Sequence, residues 1–281
     1  MTAADLGAGV DARAQGALAG RVVLVTGANG ALGEAAARAC ALAGATVVLL
    51  GRRVPRLQRL HDALAAIGPP PAIYPLDLLG ATPTDYAQMA ASIGEQLGRL
   101  DGILHAAAEF QGLTPLQNTE PSEFVDALHV NVGAPFLLTQ ACLPMLRRAP
   151  QAAVVFVLDD LQRVGRAYWG GYGVAKFALQ GMLRILADEL ENSRVQVSAL
   201  QPGPMQTGLR AKAFMTERPG TWPPAGAYAD ACVQLLAGAS RERHGKVWTP
   251  AVIWPPATTP VATIDLPMAA PAPAPAPERS R

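Results

Sequence analysis

The sequence predicts an α/β chain folded as one doubly wound parallel sheet of about seven strands, with helices on both faces. Three observations lead there. Short β-branched apolar runs recur along the chain, they alternate with longer Ala- and Leu-rich stretches at helical spacing, and each run is apolar throughout rather than at every second residue. A strand apolar throughout is buried on both faces. Strands alternating with helices join through right-handed crossovers into a parallel sheet. Ligands of such sheets bind in the crevice beyond the carboxyl ends of the strands.

The elements follow in order. Residues 21–26 (RVVLVT) read as the first strand and 31–43 as a helix closed by Gly44. A second strand spans 46–50 (TVVLL), and 55–67 is helical with Leu57, Leu60, Leu64 and Ile67 on one face. A short strand at 72–74 precedes Asp77, a helix covers 84–97, and 102–107 is the fourth strand. Residues 121–148 form a long helical region interrupted by Pro135 and Pro144. Then come a strand at 153–158 (AVVFVL), a helix at 169–191, a strand at 195–200, a helix at 225–237 and a last strand at 246–253.

Composition bounds the function. Of 281 residues, 23 are Lys or Arg and 22 Asp or Glu, a net charge of +1, which excludes a basic nucleic-acid-binding field and an acidic disordered chain. Residues 20–253 are expected to form a single domain. Residues 1–19 read as a flexible N-terminal extension, and 254–281, ending PAPAPAPERSR, as a disordered Pro/Ala-rich tail. The start of the chain carries Asp5 and Asp11 and lacks the basic and apolar regions of a signal peptide. No apolar run approaches the ~18 residues needed to span a bilayer, so no membrane association is expected. Cys40, Cys142 and Cys232 form no CxxC pair, which suits a reducing cytoplasm. His61, His105, His129 and His244 have no ligand-like spacing, so no metal is expected, and His105 reads as a satisfied core histidine.

The first strand runs directly into Thr26-Gly27-Ala28-Asn29-Gly30-Ala31-Leu32-Gly33 and a helix. Glycines let a backbone come close to a pyrophosphate, and the free N–H groups at a helix start favour the anion. This context predicts a dinucleotide site. Where an acidic residue would grip a ribose hydroxyl after the second strand, the chain has Arg52 and Arg53. Guanidinium forks suit a 2′-phosphate, so NADP(H) is preferred and NAD(H) is the second choice; solvated surface charge is the other reading of the two arginines. Asp77 either accepts from the adenine amino group or closes a turn.

Tyr172 and Lys176 stand four residues apart, on one face of the 169–191 helix. An ammonium beside a phenol favours the phenolate. Tyr172 could then exchange a proton with an alcohol or carbonyl oxygen while a hydride moves to or from a nicotinamide.

These features together resemble the short-chain dehydrogenase/reductase family over residues 20–253. The segments VVLLGRR, LDLLGAT, LDGILHAAA, VNVGAPFLLTQACLPML, RVGRAYWGGYGVAKFALQGM and QPGPMQTGLRAKAF look closest to its YciK-like branch. The resemblance implies a Rossmann fold, a nicotinamide cofactor, a small carbonyl or alcohol substrate, and homodimers or homotetramers built from the long helices after strands four and five. It implies Tyr172 as acid/base and Lys176 as the residue that holds the nicotinamide ribose and tunes Tyr172. Asn131 would anchor a proton-relay water, and Pro135 beyond it fits a locally broken helix. The cofactor would lie on Gly27, Asn29, Gly30, Leu32, Gly33, Arg52, Arg53, Asp77, Leu78, Ala107, Lys176, Pro202, Gly203 and Thr207. Trp222-Pro223-Pro224 would belong to a loop over the substrate pocket, hinting at an apolar substrate.

Three departures stand out. Ala31 occupies a position that is usually glycine. Ala106-Ala107-Ala108 replaces an Asn-Ala-Gly whose Asn ties neighbouring strands together. Asp159 stands where the catalytic serine is expected, and no Ser or Thr lies between Thr139 and Ser193. An ionised Asp only accepts hydrogen bonds. Three readings stay open: a protonated Asp159 that donates, a hydroxyl supplied by Tyr168, or a dinucleotide-binding pseudoenzyme with a regulatory or scaffolding role.

Overall fold

The computed structural model describes residues 16–238 and 241–252. The expected tail from 254 on, and the extension before residue 16, lie outside the described residues. Among the described residues, seven strands form one parallel sheet in the order β3-β2-β1-β4-β5-β6-β7. They are β1 (Val22–Thr26), β2 (Thr46–Gly51), β3 (Ala72–Pro75), β4 (Gly102–His105), β5 (Ala152–Val157), β6 (Val195–Leu200) and β7 (Val247–Trp248). The helices are α1 (Ala31–Leu42), α2 (Val54–Ala65), α3 (Pro83–Leu97), α4 (Pro121–Leu128), α5 (Ala134–Arg148), α6 (Leu161–Val164), α7 (Gly170–Glu189), α8 (Gly208–Ala213) and α9 (Ala229–Ala237).

Two hydrophobic layers sandwich the sheet, because successive side chains of a strand point to opposite faces. Val23 and Val25 of β1 join Val47 and Leu49 of β2 in one layer, beneath α1, α2 and α9. Val22 and Leu24 join Val48 and Leu50 in the other, beneath α3, α5 and α7. All five residues of β1 are buried, as a central parallel strand requires. The strand order reverses at β1, with β2 on one side and β4 on the other. A ligand crevice opens at such a switch point.

Three local features differ from the sequence expectation. The last strand is much shorter than the run 246–253 suggests; Pro250 lacks the N–H that would continue the ladder. The long helical region breaks at one point only. Pro144 sits within α5, whereas His129–Gly133 form a π turn just before Pro135, closed by the Ala134 N–H on the His129 carbonyl. Pro135 has no N–H to offer the Asn131 carbonyl, so the ladder widens there. Finally, Leu18, inside the expected extension, is fully buried against the first core layer, and its N–H bonds the Ala43 carbonyl at 3.0 Å. No helix among the described residues is long and apolar enough to cross a membrane. Nor do His, Cys, Asp and Glu residues among them cluster in a way that could hold a metal ion.

Candidate active site

A cleft of about 600 Å³ lies over the carboxyl ends of β1, β2, β4 and β5. Its floor is the turn between β1 and α1. Gly27 has φ +65°, and a Cβ there would lie 2.7 Å from the backbone of Ala107. A Cβ on Gly33 would lie 2.2 Å from the Gly27 carbonyl oxygen. Both positions therefore need glycine for packing. Gly30 caps α1 without a side-chain bond, so the first N–H groups of the helix face the cleft uncapped.

The Ala106-Ala107-Ala108 segment lacks the strand-linking Asn, but Thr26 supplies a link. Its buried hydroxyl donates to the Leu104 carbonyl at 3.4 Å and accepts the Ala107 N–H at 3.2 Å. The side-chain amide of Asn29 donates to the Arg53 carbonyl at 3.3 Å, tying the first turn to the second. Arg52 faces Asp77 at 3.8 Å, and Asp77 also accepts the Leu79 N–H at 3.2 Å, so it closes a turn at the cleft wall.

The reacting end is built by β5, α6 and α7. The Tyr172 hydroxyl donates to Asp159 Oδ2 at 2.8 Å. Asp159 Oδ1 accepts the Asp160 N–H at 2.7 Å and the Arg163 guanidinium. Lys176 donates to the Val157 carbonyl at 2.8 Å, with its ammonium 5.3 Å from the centre of the Tyr172 ring. Burial first, and then the Asp159 carboxylate, push the Tyr172 phenol well above its ordinary value, against a smaller opposing pull from Arg163. Burial pushes the Lys176 ammonium down to about 8, partly offset by Asp159. Asn131, 1% exposed, donates to the carbonyls of Glu109 and Ala127, both at 2.8 Å, and accepts the Glu109 N–H at 3.1 Å.

The family model for short chain dehydrogenases matches residues 21–218. The chain belongs to the short-chain dehydrogenase family. Among curated relatives, the oxidoreductase YciK of Escherichia coli (strain K12) is 40% identical over 200 residues, covering 71% of this chain and 79% of the relative. A short chain dehydrogenase of Pseudocercospora fijiensis is 34% identical over 203 residues, which span 71% of this chain and 64% of that longer relative. Among solved structures, a short chain dehydrogenase from Pseudomonas syringae superposes with a TM-score of 0.79 at 42% identity, covering 83% of this chain and 95% of that one. A short chain dehydrogenase from Escherichia coli CFT073 complexed with NADPH gives a TM-score of 0.80 at 38% identity, covering 84% and 98%. The fold is thus the Rossmann-type fold that the sequence resemblance implies, and the chain is an oxidoreductase by family.

In this dehydrogenase the cleft gathers nearly every site residue expected from sequence. Gly27, Asn29, Gly30, Leu32, Gly33, Arg52, Arg53, Asp77, Leu78, Ala107, Asp159, Tyr172, Lys176, Pro202, Gly203 and Thr207 all line it. Asn131 does not; it is spent on clamping Glu109, which does. Thr207 caps α8 through the Arg210 N–H at 3.0 Å.

Two expectations need correction. Tyr168 does not line this cleft; it is half exposed and lines a groove beside Leu116 and Phe177 and a small pocket beside Trp169 and Tyr172. Trp222 does not line the cleft either. It donates to Glu217 at 3.1 Å and stacks on Arg210, whose guanidinium lies 4.8 Å from the ring centre. Leu209 and Arg210 take the place at the cleft instead, so Trp222 carries no hint of an apolar substrate.

Arg163 is a cleft residue, bound to Asp159, that sequence reading missed. It lies four residues after Asp159, a spacing that signals a helical ion pair. That signal is visible only once residues 161–164 are known to be helical. Its guanidinium also sits 5.6 Å from the Trp169 ring centre and 6.0 Å from that of Phe214. His105 is a satisfied core residue as expected, bonded to the Thr139 hydroxyl at 2.9 Å and stacked on Phe156.

Proposed function

We propose that the cleft binds NADP(H) and that the chain is an NADP(H)-dependent oxidoreductase acting on a small carbonyl or alcohol substrate. When bound, the nicotinamide supplies or accepts a hydride. The observation that carries the reading is the joint arrangement of the glycine floor, the uncapped start of α1 and the guanidinium groups of Arg52, Arg53 and Arg56 at one end of the cleft, with Tyr172 and Lys176 at the other. A backbone that leaves no room for a Cβ fits a pyrophosphate, and planar cations fit a 2′-phosphate. The relatives solved with NADP and NADPH support the phosphorylated cofactor.

In this reading Lys176 holds the nicotinamide ribose, Tyr172 faces the reacting atoms, and Asn131 positions the loop carrying Glu109. Asp159, in the serine position, tunes Tyr172. Three buried free thiols, Cys40, Cys142 and Cys232, fit a reducing cytoplasm. Exposed Val125, Phe136, Val174 and Phe177 on α4, α5 and α7 fit a homodimer or homotetramer.

One observation favours a second reading, a cofactor-binding pseudoenzyme: the Tyr172 proton is already committed to Asp159. Calorimetry with NADPH and NADH tests both. NADPH should bind at least about tenfold tighter than NADH, and an Arg52→Ala/Arg53→Ala variant should lose the difference. Binding of neither nucleotide sinks both readings; NADPH binding without turnover on carbonyl, alcohol and imine panels selects the second.

A further inference from the structure

We propose that Arg163, anchored by Asp159, is a catalytic residue: an N–H of its guanidinium binds the carbonyl oxygen of the substrate beside Tyr172. The proposal rests on the NADP(H)-dependent reading above and adds to it the donor that meets the negative charge formed on that oxygen.

A carbonyl oxygen only accepts, so a site that reduces it must aim donors at it. Both N–H bonds of the Asn131 amide go to backbone carbonyls. The Lys176 ammonium gives one N–H to the Val157 carbonyl and keeps two, which the reading above assigns to the nicotinamide ribose. Arg210 has Nε and Nη2 both on Glu217. Arg163 spends only Nη2, on Asp159 Oδ1. Its Nε is buried and meets no acceptor among the described residues, and Nη1 has no protein partner among them either. With Nη2 on Asp159 and Nε buried, Nη1 is the edge of the guanidinium left for the cleft that Arg163 lines.

One carboxylate joins this guanidinium to the phenol. Asp159 takes Arg163 on Oδ1 and the Tyr172 hydroxyl, at 2.8 Å, on Oδ2, so the two donors are neighbours. The Trp169 and Phe214 rings hold the guanidinium from its faces, and the Trp169 ring centre lies 5.9 Å from that of Tyr172. A guanidinium fixed in this way keeps its charge and needs no rearrangement as charge develops. Asp159 then anchors a donor at the place where a serine would offer its own hydroxyl, and no Ser or Thr between Thr139 and Ser193 could offer one instead. The step balances. The carbon accepts the hydride and its two electrons as a new C–H bond, and the C=O π pair moves onto the oxygen, facing Arg163. Tyr172 turns its O–H from Oδ2 to that oxygen and gives up the proton, which completes the alcohol. The phenolate regains a proton from solvent, and the nicotinamide is left oxidised. Arg163 also opposes the charge of Asp159 on the phenol.

The test uses the full chain, NADPH, and nitrobenzaldehyde and diacetyl as probe carbonyls, with calorimetry of NADPH binding for every variant. Arg163→Met should lower kcat on both probes about 100-fold, with a smaller change in KM. Two double variants remove the carboxylate as well, so that no buried charge is left unpaired and the fold is spared that cost. Asp159→Ala/Arg163→Met should stay about tenfold or more below the parent in kcat. Asp159→Ser/Arg163→Met returns a hydroxyl donor beside Tyr172 and should exceed the Ala double variant by about tenfold. A merely structural Arg163 would let both double variants recover alike. Parental kcat in Arg163→Met, equal kcat in the two double variants, or weaker NADPH binding by both of them each overturns the proposal while the oxidoreductase reading stands. A parent that binds NADPH but reduces neither probe overturns the oxidoreductase reading and this proposal together, and failure to bind NADPH takes down the cofactor reading with them.

Discussion

The Tyr172 hydroxyl on α7 and the Asp159 carboxylate in the loop after β5 share one proton-bearing contact of 2.8 Å, buried at the cleft wall. Tyr172 is 5% exposed and Asp159 8%. In that setting the phenol is held as a donor to a neighbour, and its ionisation is opposed by burial and by a like charge.

Replacing the carboxylate should therefore lower the Tyr172 pKa. Asp159→Ser removes the neighbouring charge and the hydrogen bond to the phenol, leaving burial as the remaining upward push. Ultraviolet difference titration of the phenolate, with Tyr172→Phe to identify the signal, should show the Tyr172 transition at lower pH in the variant. An unchanged or higher transition would mean that Asp159 does not set the state of the phenol.

Arg163 should matter for stability as well as for chemistry. Arg163→Met leaves Asp159 without its guanidinium in a buried place, at a cost of about 2–3 kcal/mol. Urea unfolding of the cofactor-free protein checks this through the midpoint. Arg163→Lys should recover part of the loss, because a point charge replaces a planar fork.

Lys176 gives the pH dependence a direction. Its ammonium titrates at about 8 rather than 10.5. Activity that needs the cation should fall as pH rises through about 8. Arginine stays charged above pH 12, so Lys176→Arg should move that limb upward if it retains activity, as a pH profile of kcat/KM would show. The stability sign is opposite. The folded pKa is depressed, so the unfolded chain binds the extra proton between about 8 and 10.5, and this residue's contribution to stability increases with pH across that window.

Gly33→Ala should damage the fold before it damages the chemistry. The added methyl would sit 2.2 Å from the Gly27 carbonyl oxygen, so α1 must move away from the turn. A loss of about 1–3 kcal/mol and weakened NADPH binding are expected. Thermal unfolding with and without NADPH separates the two effects.

The sequence alone determined the order of strands and helices, the glycine turn at residues 26–33, the arginine pair after β2 and the four-residue spacing of Tyr172 and Lys176. Each is a local pattern: apolar periodicity, a turn that only glycine allows, or neighbours on one helix face. The tertiary structure decided what those patterns touch. It directed Asn131 into the loop at Glu109, took Tyr168 and Trp222 away from the cleft, and set Arg163 and Tyr172 on the two oxygens of Asp159. Hydrogen-bond partners depend on how β5, α6 and α7 pack together, and side-chain polarity in the sequence does not say which donor a buried carboxylate meets.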